Sequence, residues 1–383
     1  MYSPIFPPAI GGPSTQCFHL CKALVKYGET PIVVTYGPSF DLKFENGFKV
    51  HTFKAQYFSP LIDKVLRWII FPIYISYILK KEKIDILHCH SVSILSFMAA
   101  LIAKIFGIPR IVKFAGDWVW ETLSTHRIHA KELEEIYRKS FAARFMTEFE
   151  KMGLELFDII WVVSEFRKSN IQSLLGTTEK VRVINNCLLL ERGGPHVHTE
   201  SDPITVVSAN RFIPHKRLPF MVEVFALANV PDSKLVLIGG GDQKEVVSVE
   251  EAILKFKVQG RVKLLGIISS EEVYKQFGQA SMYLATTLEE GFPNVYIEAM
   301  HYGLPVITSD AGGSRELVID QKSGFVIDPY DKEAFIDRIK ELSNNKNLLN
   351  QMSHEAFERS KVFNLEHKIT EFISMYQSLL KVN

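Results

Sequence analysis

Residues 290–313 read EGFPNVYIEAMHYGLPVITSDAGG. Glu290 and Glu298 bracket a loop that turns into a helix at Pro293, because proline suits the first helical position. Gly303 followed by Pro305 ends that helix. The apolar run Leu304 to Thr308 then reads as a buried strand, and glycines return at Gly312 and Gly313. The predicted unit is loop, helix, strand, loop. Its helix start offers N–H groups and the positive end of a dipole, which suits a phosphate. Glu298 falls about a turn and a half into the helix and Glu290 just before it. One acid is therefore placed for what sits at the helix tip, the other for what lies along its side.

Outward from this unit the same alternation recurs. Short apolar or β-branched runs at 31–35, 48–53, 84–88, 110–114, 159–163 and 181–184 read as strands, with helical spacing at 14–27, 94–106 and 130–157 between them. The pattern restarts with strands at 204–209, 234–238, 262–265, 282–285 and 324–326, and helices at 218–228, 271–277, from 332, and 365–380. Strands alternating with helices predict parallel sheets covered on both faces. The polar, Gly- and Pro-containing stretch between the two series reads as a linker. The expected division is a first domain over 1–190, a linker over 191–202, a second domain over 203–362 and a closing helix over 363–383. Open parallel sheets bind ligands beyond the strand C-termini, so two such domains would share one cleft.

The chain has 383 residues, 47% of them hydrophobic, enough for two cores. Its net charge of +1 gives no field for nucleic acid. Cys17, Cys21, Cys89 and Cys187 lack CxxC spacing and read as buried reduced thiols. No targeting leader is read at the start, so a cytoplasmic location is expected. The most apolar run, Trp68 to Leu79, is broken by Pro72 and spans about 12 residues, too few to cross a bilayer. It is flanked by Lys64, Arg67, Lys80, Lys81 and Lys83. Two readings stand: a partly buried helix with a solvated basic face, or a segment docked peripherally on an anionic membrane surface, the inner face of the plasma membrane.

Glu-x7-Glu followed by Ala-Met-x-x-Gly-x-Pro-Val-Ile resembles the donor-sugar motif of the retaining, nucleotide-sugar-dependent glycosyltransferases of family 4 (glycosyl transferases group 1). The resemblance implies an α/β protein of GT-B fold, with two Rossmann-like doubly wound domains facing across a cleft and a last helix crossing back to the first. Residues 209–216, Ala-Asn-Arg-Phe-Ile-Pro-His-Lys, resemble the family's Arg-x4-Lys element, which makes Arg211 and Lys216 the cations that grip the diphosphate. Arginine offers a planar fork and lysine a point charge. The chain has no Asp-x-Asp, so the usual ligands for a metal are missing and neither a metal nor another cofactor is expected.

By the same resemblance Glu298 bonds the ribose hydroxyls and Glu290 the hydroxyls of the donor sugar. The amides of Gly291, Phe292, Asn294 and Val295 lie near sugar and phosphate. Gly11 and Gly12 close the site from the first domain. Gly312 and Gly313 form a loop on the acceptor or sugar side. Gly116 stands where many relatives carry the histidine of a His-Asp pair, while Asp117 is kept, to act on the acceptor or orient the sugar. Trp118 stacks on a sugar ring or packs in the core. Of the pair His88 and His90, His88 reads as packed and His90 as facing the cleft on the acceptor side. Family members open with a central strand before the Tyr-x-Pro-x-x-Gly-Gly type of loop; here that loop begins at Tyr2, so the first strand is expected to be missing.

The expected function is transfer of a hexosyl unit from a UDP- or GDP-sugar to a hydroxyl of a glycan or lipid-linked acceptor, with retention and without a metal. The alternatives are a sugar-nucleotide epimerase or hydrolase of the same fold, and a non-catalytic donor-binding partner subunit.

Overall fold

The structure, a computed structural model, describes residues 1–9, 11–54, 60–116, 119 and 140–381. The described residues form two units, one up to Leu189 together with Leu365 onward, the other Leu190–Asn364.

The first unit holds helices α1 (Gly12–Lys26), α2 (Pro60–Lys81), α3 (Ile94–Ile105), α4 (Phe141–Glu155) and α5 (Glu165–Leu175). Its strands are β1 (Ile32–Gly37), β2 (Asp41–Glu45), β3 (Phe48–Lys54), β4 (Leu87–Cys89), β5 (Arg110–Phe114), β6 (Ile159–Val162) and β7 (Val181–Val183). β1 pairs in parallel with β3, and β4 to β7 pair in parallel in sequence order.

No strand precedes α1 among the described residues, but the first three residues make isolated bridges in its place. Met1–Ser3 lies between β1 and β4: Tyr2 N–H donates to His88 O at 2.8 Å, Ser3 N–H to Val34 O at 3.0 Å, and His90 N–H to Tyr2 O at 2.8 Å. Tyr2 is bridged to both neighbours, Val34 and Cys89, and its ring is fully buried. A purely parallel sheet was too simple. β2 runs antiparallel to β3 through a two-residue turn at Asn46-Gly47, both with positive φ (52° and 84°), the conformation that Asn-Gly hairpins favour. α2 continues through Pro72 rather than breaking there. Residues 120–139, which include the start of the helix expected over 130–157, lie outside the described residues.

Both faces of this sheet are covered. On one, Val112, Phe114, Ile160 and Val162 meet Phe71, Ile75, Phe97 and Ala100 of α2 and α3. On the other, Ile111, Ile159 and Trp161 meet Leu20 and Leu24 of α1. Ile369 and Phe372 of the last helix join that second core, with the Phe372 ring edge-on to Trp161 at 5.0 Å.

The second unit holds β8 (Thr205–Ala209), α6 (Leu218–Ala228), β9 (Lys234–Ile238), α7 (Gln243–Lys255), β10 (Val262–Gly266), α8 (Ser270–Phe277) and β11 (Met282–Ala285). It continues with α9 (Asn294–His301), β12 (Val306–Ser309), α10 (Ser314–Leu317), β13 (Gly324–Ile327), α11 (Lys332–Asn344) and α12 (Lys346–Lys361); the closing α13 (Leu365–Leu380) belongs to the first unit. The six strands are all parallel, in the order β10-β9-β8-β11-β12-β13. Chain order reverses between β8 and β11, which makes that edge the topological switch point. Beneath it Val206, Leu235, Leu237, Met282, Leu284 and Ile307 pack with Met221, Phe225, Phe335 and Ile339.

Residues 190–202 do not hang free as a simple linker. Asn350 of α12 accepts from His198 N–H at 2.8 Å and donates to His198 O at 2.9 Å, and Ser353 donates to His196 O at 3.2 Å. Among the described residues no helix is long and apolar enough to cross a membrane.

Candidate active site

Three loops leave the C-terminal ends of the neighbouring strands β8, β11 and β12 and meet at the switch point. The loop after β8 makes a short turn at Pro214–Lys216. Thr286 at the end of β11 holds that turn, its hydroxyl donating to Lys216 O at 3.0 Å, while Leu288 N–H donates to His215 O at 2.8 Å. The result is an ion pair between Lys216 Nζ and Glu290 Oε1, with side chains only 11% and 14% exposed. Burial and the neighbouring charges of Lys216 and Arg211 push the His215 imidazole down to about 3, so it adds no charge near neutral pH. Arg211 is exposed, and its guanidinium makes no ion pair with a described residue. The two cations expected to share a role thus differ: one is matched by a carboxylate, the other faces solvent.

The loop after β12 fixes Glu290 from behind. Gly313 N–H donates to Glu290 O at 3.1 Å. Gly312 has φ 57°, and a Cβ built there would lie 1.7 Å from the same carbonyl oxygen. Only glycine fits both the left-handed backbone and that approach. The glycine pair expected on the acceptor or sugar side is in this unit the support of Glu290.

α9 starts one residue later than expected. Pro293 is the N-cap, with ψ 119°, and Asn294 the first helical residue. Gly291 to Val295 therefore form the positive end of α9, at the switch point beside Glu290. The Phe292 ring is buried against Phe363 at 5.3 Å and pins the loop. Glu298 lies half-buried on the α9 face toward α8, where Tyr274 OH donates to its Oε1 at 3.3 Å. Tyr274 in turn stacks on Tyr302 at 5.6 Å. Burial pushes the Glu298 carboxyl up to about 7, and the Tyr274 hydroxyl only partly opposes it. Tyr274 was missed from the sequence. It sits in a different helix with no motif around it, and only the packing of α8 beside α9 brings it there.

In the first unit, Gly11 caps α1 with φ 156° and ψ 154°, and Gly12 is already the first helical residue. His90 does not stand open at a strand end. It is buried and stacked on His88 at 4.3 Å, with Trp161 at 5.9 Å. The cause is the Met1–Ser3 segment, which draws His90 into the sheet through its backbone. Lys113, on the same sheet face, is buried too; it donates to Asn186 Oδ1 at 2.7 Å and lies over the Trp161 ring at 4.3 Å. Desolvation lowers its ammonium to about 7. Gly116 ends the described part of its loop, held by Arg167 Nε donating to Ala115 O at 3.1 Å. Asp117 and Trp118 lie outside the described residues.

Chemically, the second unit offers what a doubly charged diphosphate ester requires. It has an exposed guanidinium, a buried ammonium with an exchangeable partner, a helix N-terminus, and a desolvated carboxylate for hydroxyls.

Comparison with known proteins covers both units. Residues 196–359 match the family model "Glycosyl transferases group 1", and residues 10–192 match "Glycosyltransferase Family 4". The chain is 26% identical over 318 residues to the Escherichia coli UDP-Gal:alpha-D-GlcNAc-diphosphoundecaprenol alpha-1,3-galactosyltransferase, covering 78% of this chain and 76% of that protein. It is 25% identical over 336 residues to the gpi3 subunit of phosphatidylinositol N-acetylglucosaminyltransferase from Schizosaccharomyces pombe, covering 85% of this chain and 68% of that one. Sucrose-phosphate synthase from Thermosynechococcus elongatus shares the fold, with TM-score 0.82 at 20% identity over 100% of this chain and 98% of that one.

Proposed function

We infer the reaction from one premise: this chain belongs to the GT-B glycosyltransferases of family 4, group 1, and is an enzyme that transfers glycosyl groups. It moves a hexosyl unit from a UDP- or GDP-sugar to a hydroxyl of a glycan or lipid-linked acceptor, with retained configuration and no metal. The acceptor class is supported by two relatives whose names carry diphosphoundecaprenol and phosphatidylinositol, and the donor class by the UDP-Gal of the first.

The observation that carries the site is the convergence at the β8/β11 switch point of Lys216, Glu290 and the start of α9. Arg211 and Lys216 take the charge that builds on the leaving diphosphate. Glu298 accepts from the ribose hydroxyls and Glu290 from those of the sugar. Because Glu290 is held in an ion pair by Lys216, it serves as an acceptor of hydrogen bonds rather than as a free nucleophile. Acceptor attack and diphosphate departure then share one face of the sugar, which retains configuration without a covalent intermediate. The fixed cations and the α9 dipole do the work that a metal would otherwise do.

One face of the first unit suits the lipid-linked acceptor. Trp68, Ile69, Ile73 and Tyr77 are exposed along α2, with Leu101 and Ile105 on the neighbouring α3. Lys80, Lys81 and Lys104 are exposed at the C-terminal ends of the same helices. An apolar strip edged by lysines fits a peripheral position on an anionic bilayer.

The test is donor affinity across a panel of nucleotide sugars by calorimetry. Glu298→Ala weakens the true donor, and Arg211→Ala weakens it with a loss that depends on salt. Unchanged affinity in both variants sinks the site. Rapid nucleotide release without acceptor would instead assign a hydrolase, and loss of turnover in chelator would overturn the metal-free mechanism.

A further inference from the structure

We propose that His196, His198 and Asp202 form a site for a divalent transition-metal cation, zinc above all, on the stretch that opens the second unit. Residues 196–198 lie outside any helix or strand, and the two histidines, two positions apart, bring their rings together. Their ring centroids are 4.7 Å apart. The chain then turns back, with Asp202 N–H donating to Thr199 O at 3.1 Å and Asp202 Oδ2 accepting from Thr199 N–H at 2.7 Å. One potential ligand atom from each of the three residues lies within 4.8 Å of the others. Zinc bonds of about 2.0–2.2 Å would need these atoms somewhat closer, a difference that side-chain rotation covers.

The second observation concerns His198. Its side chain is nearly buried, at 5% exposure, yet Nε2 has no hydrogen-bond partner. A buried ring nitrogen without a partner costs free energy that a bound cation would recover. The backbone beneath it is already ordered by Asn350 and Ser353 of α12, while Lys346 Nζ donates to Asp202 O at 3.0 Å. Binding therefore has little ordering to do. Two imidazoles and a carboxylate are a zinc donor set, and the exposed side of His196 leaves a position for water. The Lys346 ammonium opposes the cation, so the site is weaker than a closed four-ligand one. None of these residues belongs to the donor site, so the ion would fix residues 196–202 onto α12 rather than take part in transfer.

The experiment uses the full chain, stripped with chelator and dialysed, titrated with zinc chloride by calorimetry and with cobalt(II) by visible absorption. We expect one ion per chain, tetrahedral cobalt bands, and a Tm that rises with zinc concentration. His196→Ala and Asp202→Asn keep the metal-free Tm but weaken binding by more than about tenfold, since even an outer partner of a ligand is worth that much. No saturable uptake, or uptake of equal affinity in both variants, overturns the site, the latter by placing the ion elsewhere. Donor affinity measured on the same variants is expected to be unchanged. The proposal and the transferase reading can therefore fail separately.

Discussion

At the scale of single residues, Glu298 makes the sharpest prediction. Its carboxyl is raised from the ordinary range to about 7 by burial. A group whose folded value is raised holds its proton longer in the folded chain. The stability it contributes is therefore greatest below the ordinary carboxyl range and falls as pH rises toward about 7. In the role proposed for Glu298, donor binding runs the other way, because ribose hydroxyls would donate to the ionised form. Donor affinity should rise with pH through about 7 and then level off, and Glu298→Gln should remove that dependence. Tyr274→Phe deletes the one hydrogen bond that lowers the carboxyl, so it should move the rise to higher pH; a profile in Tyr274→Phe identical to that of the parent would separate the two residues functionally. Calorimetry between pH 5.5 and 8.5 (roughly one and a half units either side of the expected midpoint) reads both effects. As candidates, Glu290, Glu298, Arg211 and Lys216 were readable from the sequence because each stands in an ordered motif, and the structure pairs Lys216 with Glu290. Tyr274 was not, because a lone tyrosine in an amphipathic helix carries no pattern, and its partner lies in another helix.

Among the elements, the loop after β12 is where backbone geometry governs the site. Gly312→Ala must leave the left-handed region or push the Glu290 carbonyl away. We expect a stability loss of about 1–3 kcal/mol from backbone strain. Turnover should fall by up to about a hundredfold if Glu290 shifts by an ångström. Urea denaturation and steady-state rates check the two, and a variant with parental turnover would free Glu290 from this support. The elements of this unit were largely readable. Leu218–Ala228, Lys234–Ile238 and Met282–Ala285 carry the bounds the sequence suggests, because fully buried strands and an apolar helix leave unbroken apolar runs. α7, Gln243–Lys255, was overlooked: charges at Lys244, Glu245, Glu250 and Glu251 interrupt its apolar residues, and only Val249, Ala252 and Ile253 are buried. In the first unit β2, Asp-Leu-Lys-Phe-Glu, does alternate polar and apolar residues, but it is exposed along its whole length and was overlooked. The Asn46-Gly47 turn was a second available signal. Pro72 was taken for a break, yet α2 passes through it with Phe71, Ile75 and Ile78 buried on one face, and their packing outweighs one lost backbone donor.

At the scale of the whole chain, the first unit is closed by its last helix rather than by adjacent sequence. α13 places Ile369, Phe372 and Met375 in one core with Leu20, Ile111 and Trp161, residues more than half the chain away. His88 Nδ1 lies 2.8 Å from Tyr376 OH in the same contact. The sequence alone showed only an amphipathic helix there. What it packs on depends on a sheet face assembled from β5 and β6, which no local pattern records. The groups proposed for the nucleotide side, Arg211, Lys216 and Glu298, all lie in Leu190–Asn364, with a separate core. Phe372→Ala should therefore cost the first unit about 3–5 kcal/mol, the usual loss for a buried phenylalanine. Unfolding followed by Trp161 fluorescence should move to lower urea, while affinity for the free nucleoside diphosphate stays near parental under conditions where the second unit remains folded. If nucleotide affinity fell in step with the Trp161 signal, the two cores would not be energetically separate. If stability did not change, α13 would not be a structural part of the first unit.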